Sequence, residues 1–180
     1  EIFPYNINDD SLQWALHGDT MIDIFIPENS EYSINLNNTS NLISFNALPT
    51  DSIDFSVESV MSDIATNVRL IISGGTSAIY YQNKWHGGLT HFSKEKGYWI
   101  VLADATSPDT ILSGYGFNFD PNREYTLDMG HNLISFPGDE GYPLSAAISS
   151  DYNNKITSIM GEGNAALWYD SDSDGDFEWI

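Results

Sequence analysis

The sequence NLISF at residues 41–45 recurs without change at residues 132–136, 91 positions further along the 180-residue chain. The flanking sequence recurs in the same order, because EYSI at 31–34 precedes the first copy and EYTL at 124–127 precedes the second. Downstream, SGGTSAIYY at 73–81 corresponds to GEGNAALWY at 161–169. Repetition over this length indicates one structural unit that occurs twice.

Each copy has the pattern of short strands followed by a hairpin. Residues 32–36 and 125–127 alternate polar and apolar side chains, and NLISF is rich in strand-forming residues. A later apolar segment, at 68–72 or 156–160, leads through a glycine turn into a hairpin that returns at Trp85 or Trp179. We therefore predict that Phe45 and Phe136 are buried at equivalent positions, and that the two tryptophans are too.

One short helix is predicted in each copy. Ser56 is a suitable N-cap for the first helix, and Pro143 suits the first position of the second. Apolar residues follow both at helical intervals: Val57, Val60, Met61 and Ile64 in the first copy, and Leu144, Ala147 and Ile148 in the second.

We expect a mainly β fold, built from two tandem copies of a β-sandwich or barrel-like unit that each contain one short helix. Residues 1–29 are predicted to end a preceding element, 30–115 to form the first unit, and 116–180 to form a truncated second unit. The second copy is shorter because the first continues into the strand sequence GYWIVL at 97–102. The chain is therefore predicted to be a fragment of a longer protein.

The charge of the chain excludes several classes of partner. Six Lys and Arg residues against 26 Asp and Glu residues give a formal charge of −20 at pH 7. Such a chain repels phosphate backbones and anionic membrane surfaces, so neither nucleic-acid binding nor membrane insertion is expected. It attracts divalent cations. A hydrophobic content of 41% is enough for a folded core.

Catalytic motifs are absent from the sequence. There is no cysteine, which excludes disulfides, thiolate metal sites and cysteine catalysis. The nucleophile-elbow, zinc-protease and phosphate-loop motifs are also missing. His86 and His91 flank a Gly-Gly-Leu-Thr segment, but no third ligand completes a zinc site near them. We therefore do not expect an enzyme.

One segment has the composition of a calcium site. Acidic residues stand at every second position of DSDSDGDFE at 170–178, with Gly175 at the sixth position. This spacing matches the start of an EF-hand loop, where alternate carboxylates turn towards one ion and glycine allows the sharp bend. The predicted Ca²⁺ ligands are Asp170, Asp172, Asp174, Asp176 (through its backbone carbonyl) and Glu178.

The repeat supports this prediction. Three residues separate Tyr81 from Trp85 in the first copy, whereas nine separate Tyr169 from Trp179 in the second. The six extra residues fall at a hairpin tip, a place that tolerates insertions. Five carboxylates within nine residues would repel each other without a cation, so a structural ion that stiffens the loop is expected.

The motifs NLISFP, GEG and GYW, with a Trp-bearing hairpin, resemble a repeated accessory module of large secreted or surface proteins of marine bacteria. Similar modules occur in large aquatic viruses. The resemblance covers about residues 30–180, and the acidic loop resembles those of dockerins and thrombospondin type 3 repeats. It implies an extracellular, secreted or cell-surface location and no particular reaction.

Three functions follow as hypotheses. The first is a non-catalytic, calcium-stabilised repeat module of a secreted or cell-surface protein in adhesion or assembly, with another surface protein as partner. The second is a carbohydrate-binding module of a polysaccharide-degrading enzyme, because exposed aromatic rings in one plane can stack on sugars. The third is a structural protein of a viral or cell-surface array. The aromatic residues in question are Trp85, Trp99, Trp168, Trp179, Tyr80, Tyr81 and Tyr98.

Overall fold

The computed structural model of the chain describes residues 3–6, 11–16, 20–25, 29–49, 55–104, 110–118, 123–136, 143–152, 155–169 and 178–179. It divides into two compact units, Glu1–Ser135 and Phe136–Ile180. The predicted boundaries near residues 30 and 116 mark where the sequence repeat begins, whereas this division follows the compactness of the structure. Those boundaries therefore stay a prediction.

Strands are the main secondary structure of the described chain, which confirms the mainly β prediction. In the described residues of unit 1 the elements are β1 (Phe3–Asn6), β2 (Ser11–Leu16), β3 (Thr20–Phe25), β4 (Asn29–Leu36), β5 (Ser40–Ile43), β6 (Ala47–Leu48), α1 (Val57–Val60), β7 (Val68–Ser73), β8 (Thr76–Tyr81), β9 (Lys84–Gly87), β10 (Tyr98–Leu102) and β11 (Thr110–Asn118). Those of unit 2 are α2 (Leu144–Ala147), β12 (Ser158–Met160), β13 (Ala165–Tyr169) and β14 (Glu178–Trp179). Short 3₁₀ turns cover Ala65–Asn67 and Ser150–Tyr152.

All described strand pairs are antiparallel, and the sheets are open. Unit 1 contains a meander β1-β2-β3, a five-stranded sheet in the order β5-β10-β7-β8-β9, and a three-stranded sheet in the order β4-β11-β6. Unit 2 contains the sheet β12-β13-β14. None of these described sheets closes into a barrel.

The core of unit 1 joins the five-stranded sheet, the β4-β11-β6 sheet and α1. Phe45 is fully buried at its centre. Its ring makes edge-on contacts with Tyr32, Phe92 and Tyr98 at centroid distances of 5.6, 4.9 and 6.0 Å. Burial raises the pKa of both tyrosines, so their hydroxyl groups stay protonated well above neutral pH.

The start of α1 lies where the sequence predicts it. The Ser59 backbone N–H donates to the Ser56 Oγ at 3.1 Å, which makes Ser56 the N-cap. Val57 and Met61 are buried against the core. Regular α-helix ends at Val60, earlier than the apolar spacing suggested, and Ile64 is reached through a turn in which its N–H donates to the Met61 carbonyl.

Replacing Ser56 by Ala should lower the free energy of unfolding by about 1 kcal/mol, because the Ser59 N–H then loses its fixed acceptor at the start of α1. Urea denaturation monitored by tryptophan fluorescence measures this change. Ser59→Ala is the matched control, since Ser59 is exposed and contributes only its backbone N–H to the cap. Equal midpoints for the two variants would show that the cap does not stabilise the turn.

Unit 2 is much less buried than unit 1. None of its described residues is buried, and the exposed fraction of Phe136 is 47%, against 0% for Phe45. The prediction that the two phenylalanines occupy equivalent core positions is therefore wrong. Rings from β4, β10 and residue 92 enclose Phe45, whereas nearly half of the Phe136 side chain stays open to solvent.

Two further predicted strands do not form. Residues 125–127 have no strand partner among the described residues, and 132–136 take part in a single bridge, between Ile134 and Lys96. In the first copy residues 32–34 pair with β11, and residues 41–43 pair with β10. A strand needs such a ladder partner, whatever the β-propensity of its sequence.

Candidate functional site

The hairpin that carries the predicted calcium loop repeats a hairpin of unit 1 in its pairing. Every described residue pair between β12 and β13 has a counterpart between β7 and β8, 88 positions earlier. Leu70↔Ile79 corresponds to Ser158↔Leu167, Ile71↔Ala78 corresponds to Ile159↔Ala166, and Ile72↔Ser77 corresponds to Met160↔Ala165. The two sequences therefore form the same ladder.

The match continues on the other side of the central strand. Tyr80 pairs with Trp85 in the first hairpin, and Trp168 pairs with Trp179 in the second. The ring centroids are 5.1 Å apart at an interplanar angle of 56° in the first pair, and 5.4 Å apart at 57° in the second. Trp85 and Trp179 are both half-buried, less than predicted but equivalent to each other.

The two hairpins differ at their tips. Gln82 and Asn83 form a two-residue turn with φ values of 50° and 60°, the left-handed conformation that a type I′ turn requires. In the first hairpin these two residues connect the paired residues Tyr81 and Lys84. In the second hairpin the equivalent pair, Tyr169 and Glu178, is connected by eight residues, 170–177. The six-residue insertion inferred from the sequence thus lies between two strands whose pairing it leaves unchanged.

Four of the five predicted ligands, Asp170, Asp172, Asp174 and Asp176, lie outside the described residues. The fifth, Glu178, is exposed at the start of β14 and pairs with Tyr169 across the hairpin. Paired residues on antiparallel strands have Cα atoms roughly 4.5–5.5 Å apart, so the loop starts and ends at almost one point. Among the described residues alone, no group of three or more His, Asp or Glu side chains could hold a metal ion.

An open, mainly apolar pocket of about 550 Å³, whose lining also includes Glu178, lies in unit 2 beside this hairpin. Its walls include Leu144 and Ile148 from the helical segment and both tryptophans of the ring pair. The indole N–H of Trp179 is buried and has no hydrogen-bond partner within the described part of the chain. Sequence reasoning missed this pocket.

A second recurring contact also went unpredicted. The Asn41 side chain accepts from the Asn37 backbone N–H at 2.6 Å and donates to the Asn37 carbonyl at 3.0 Å. Asn132 makes the same two bonds with Asp128, at 2.9 and 2.8 Å. The asparagine of NLISF therefore closes a five-residue turn in both copies, which explains why an amide stands there.

The aromatic residues do not form a flat row. Tyr98 is fully buried, the matched ring pairs are tilted, and of the seven only Tyr81 and Trp99 are exposed, at 63% and 37%. His86 and His91 make separate bonds, to the Tyr81 carbonyl and to the Thr90 hydroxyl. Sugar stacking stays a prediction, and the tilt of the ring pairs favours packing over a platform.

No match to this chain was found among protein families, curated proteins or solved structures. The resemblance to an accessory module of secreted bacterial proteins therefore remains a prediction from its short motifs. The helices in the described ranges are too short to cross a lipid bilayer.

Proposed function

We propose that the chain is a non-catalytic, calcium-stabilised repeat module of a secreted or cell-surface protein that acts in adhesion or assembly. The observation that carries the proposal is the paired hairpins, one with a two-residue turn and the other with eight residues between the same paired positions. The inserted residues are those that calcium prefers as ligands. As part of the proposal, the two copies form tandem sandwich-like units.

The hairpin frame lowers the cost of forming a calcium loop. Because Tyr169 and Glu178 are already paired, the ends of the loop need no further closure, and the entropy lost on ordering is confined to the residues between them. Asp170, Asp172 and Asp174 supply side-chain oxygens and Asp176 a backbone carbonyl, with Glu178 at the ninth position as a direct or water-mediated ligand. The ion offsets the repulsion among five carboxylates.

Calcium should raise the melting temperature of the chain, and a chelator should lower it. At a free calcium concentration one hundred times the Kd, binding stabilises the folded state by about 2.7 kcal/mol. Replacing Asp172 and Asp174 together by Ala should abolish this difference and the binding heat in isothermal titration calorimetry. Mg²⁺ should bind more weakly, because it keeps water and demands octahedral geometry.

The matched control replaces Ser171 and Ser173 by Ala, which alters the same loop and leaves every carboxylate in place. This control should keep calcium binding. The calcium part of the proposal is refuted if the unmodified chain gives no binding heat and melts at the same temperature in chelator and in millimolar calcium. The loop would then be a solvated acidic hairpin tip without an ion.

A further inference from the structure

We propose that an open pocket of unit 1, between strand β11 and the end of helix α1, binds one sugar residue of an uncharged glycan. The pocket has a volume of about 390 Å³, within the range of about 300–1,000 Å³ that is typical of small-molecule sites. Its lining includes none of the seven aromatic residues of the sugar-stacking hypothesis. The inference rests on the adhesion part of the proposed function, for which it names a ligand, and it does not depend on the calcium loop.

The pocket lies beside the part of β11 that strand β6 does not reach. On one side β4 pairs with β11 from Thr110 to Phe117, whereas on the other side β6 pairs only with Phe117 and Asn118. Residues 113–117 of β11 line the pocket, together with Pro49 directly after β6 and the segment around the end of α1. Strands β4 and β11 and helix α1 therefore position its lining.

The hydroxyl group of a buried side chain reaches this pocket without a partner. Tyr32 lines the pocket and is 5% exposed, and its hydroxyl makes no hydrogen bond within the described part of the chain. Gly114 faces Tyr32 across the ladder, and a Cβ built on Gly114 would lie 2.5 Å from the hydroxyl oxygen. The other buried tyrosine of the core, Tyr98, bonds through its hydroxyl to the backbone of Ser93. Because polar groups of buried side chains are nearly always paired, the Tyr32 hydroxyl indicates a partner from outside the chain.

The polar lining of the pocket consists of hydroxyl groups and one carboxylate. Ser59, Ser113 and Tyr115 are exposed at the pocket, and their hydroxyl groups can both donate and accept hydrogen bonds, as those of a sugar do. The Asp63 carboxylate accepts from the Ser62 hydroxyl at 3.2 Å and is a strong acceptor for further hydroxyl groups. The described lining residues include no Lys, Arg or His, so an anionic ligand is disfavoured.

Tyr115 supplies apolar surface on which the C–H face of a sugar can pack. Its side chain is 65% exposed and lies on the same face of β11 as Ser113. Small-molecule sites combine such surface with a few well-placed polar groups. A quaternary ammonium ion could also use an aromatic ring and a carboxylate, but it would leave the hydroxyl groups of Tyr32 and Ser113 without partners. The lining therefore favours a sugar.

The test is an NMR titration of the full, ¹⁵N-labelled chain in millimolar calcium. The probes are glucose, galactose, mannose, fucose and N-acetylglucosamine, each at millimolar concentrations. At least one sugar should shift the amide signals of residues 59–63 and 113–117 saturably. Calcium binding is measured separately by calorimetry, so a chain that binds calcium and none of these sugars loses this inference and keeps its calcium-stabilised module.

The chain offers two matched pairs of variants. Tyr115→Ala should weaken binding about tenfold, whereas Tyr81→Ala, which removes a ring that is 63% exposed on β8, should leave it unchanged. Asp63→Ala should also weaken binding, whereas Glu58→Ala, which removes an exposed carboxylate of α1 outside the lining, should not.

Tyr32→Phe removes the unpartnered hydroxyl alone. It should weaken binding about fivefold and leave the melting temperature unchanged, because the hydroxyl has no hydrogen bond to lose within the described part of the chain. The proposal is overturned if none of these sugars gives saturable shifts, if Tyr115→Ala and Tyr32→Phe both bind as the unmodified chain does, or if Tyr81→Ala abolishes binding. It is also overturned if tetramethylammonium chloride saturates the same amide signals and no sugar does, since the pocket would then be a cation site.

Discussion

Phe45→Ala should lower the free energy of unfolding by about 3–5 kcal/mol, whereas Phe136→Ala should lower it by less than about 1 kcal/mol. Both residues are the last of an identical five-residue sequence, NLISF, so this sequence alone predicts the same effect for both substitutions. Phe45 is fully enclosed, and its removal leaves a cavity among Tyr32, Phe92 and Tyr98. Phe136 is 47% exposed, so truncation removes contacts without opening a cavity.

Urea denaturation of both variants, followed by the loss of native-state amide protection in unit 1, measures the difference. The ratio of the two effects is informative, because the chemical change is identical. Similar losses for both variants would mean that Phe136 lies in a core as Phe45 does, and that the exposed position of the second NLISF copy is wrong.

Gly87→Ala should destabilise the chain by roughly 2–4 kcal/mol. Gly87 has φ of +133°, a conformation that a residue with a Cβ rarely adopts, and a Cβ built there lies 2.1 Å from the Ser77 carbonyl oxygen. That oxygen accepts a hydrogen bond from the Leu89 N–H at 3.0 Å. Relieving the clash would move the end of β9 and pull the buried Leu89 out of place.

Gly88→Ala is the control for this substitution. Gly88 is the next residue, a methyl group added to it would meet no atom within 4 Å, and it is not among the glycines with positive φ. Its replacement should change the free energy of unfolding by about 0.5 kcal/mol or less. Thermal melting by circular dichroism separates the two variants. If the Gly87→Ala protein is as stable as the Gly88→Ala protein, the end of β9 can shift enough to relieve the clash at no cost in stability.

Local patterns in the sequence predicted the elements that depend on local chemistry. Ser56 caps α1 as its hydroxyl group and position suggested, and the glycine turn between β7 and β8 and the hairpin at Trp85 lie where predicted. The strand predictions for residues 125–127 and 132–136 failed because a strand is defined by its partner. The same NLISF letters contribute to β5 beside β10 in one copy and form a single bridge in the other.

The candidate site was predictable to the same degree. Counting residues between Tyr81 and Trp85, and between Tyr169 and Trp179, was enough to locate a six-residue insertion, since a ladder fixes which residues face each other. The pocket of unit 2 was not predictable in this way. Its existence depends on which side chains are left uncovered, and that is a property of packing, not of the spacing of letters.

The pair of indole rings beside the acidic loop distinguishes the second hairpin from the first in its optical spectrum. Trp168 and Trp179 place two indole chromophores 5.4 Å apart and skewed by 57°, the kind of arrangement in which electronic transitions couple into an exciton. The first hairpin pairs an indole with the phenol of Tyr80, whose transitions lie at different energies. The chain thus carries, within two residues of its loop, an intrinsic chiroptical reporter that responds to the closure of that hairpin alone.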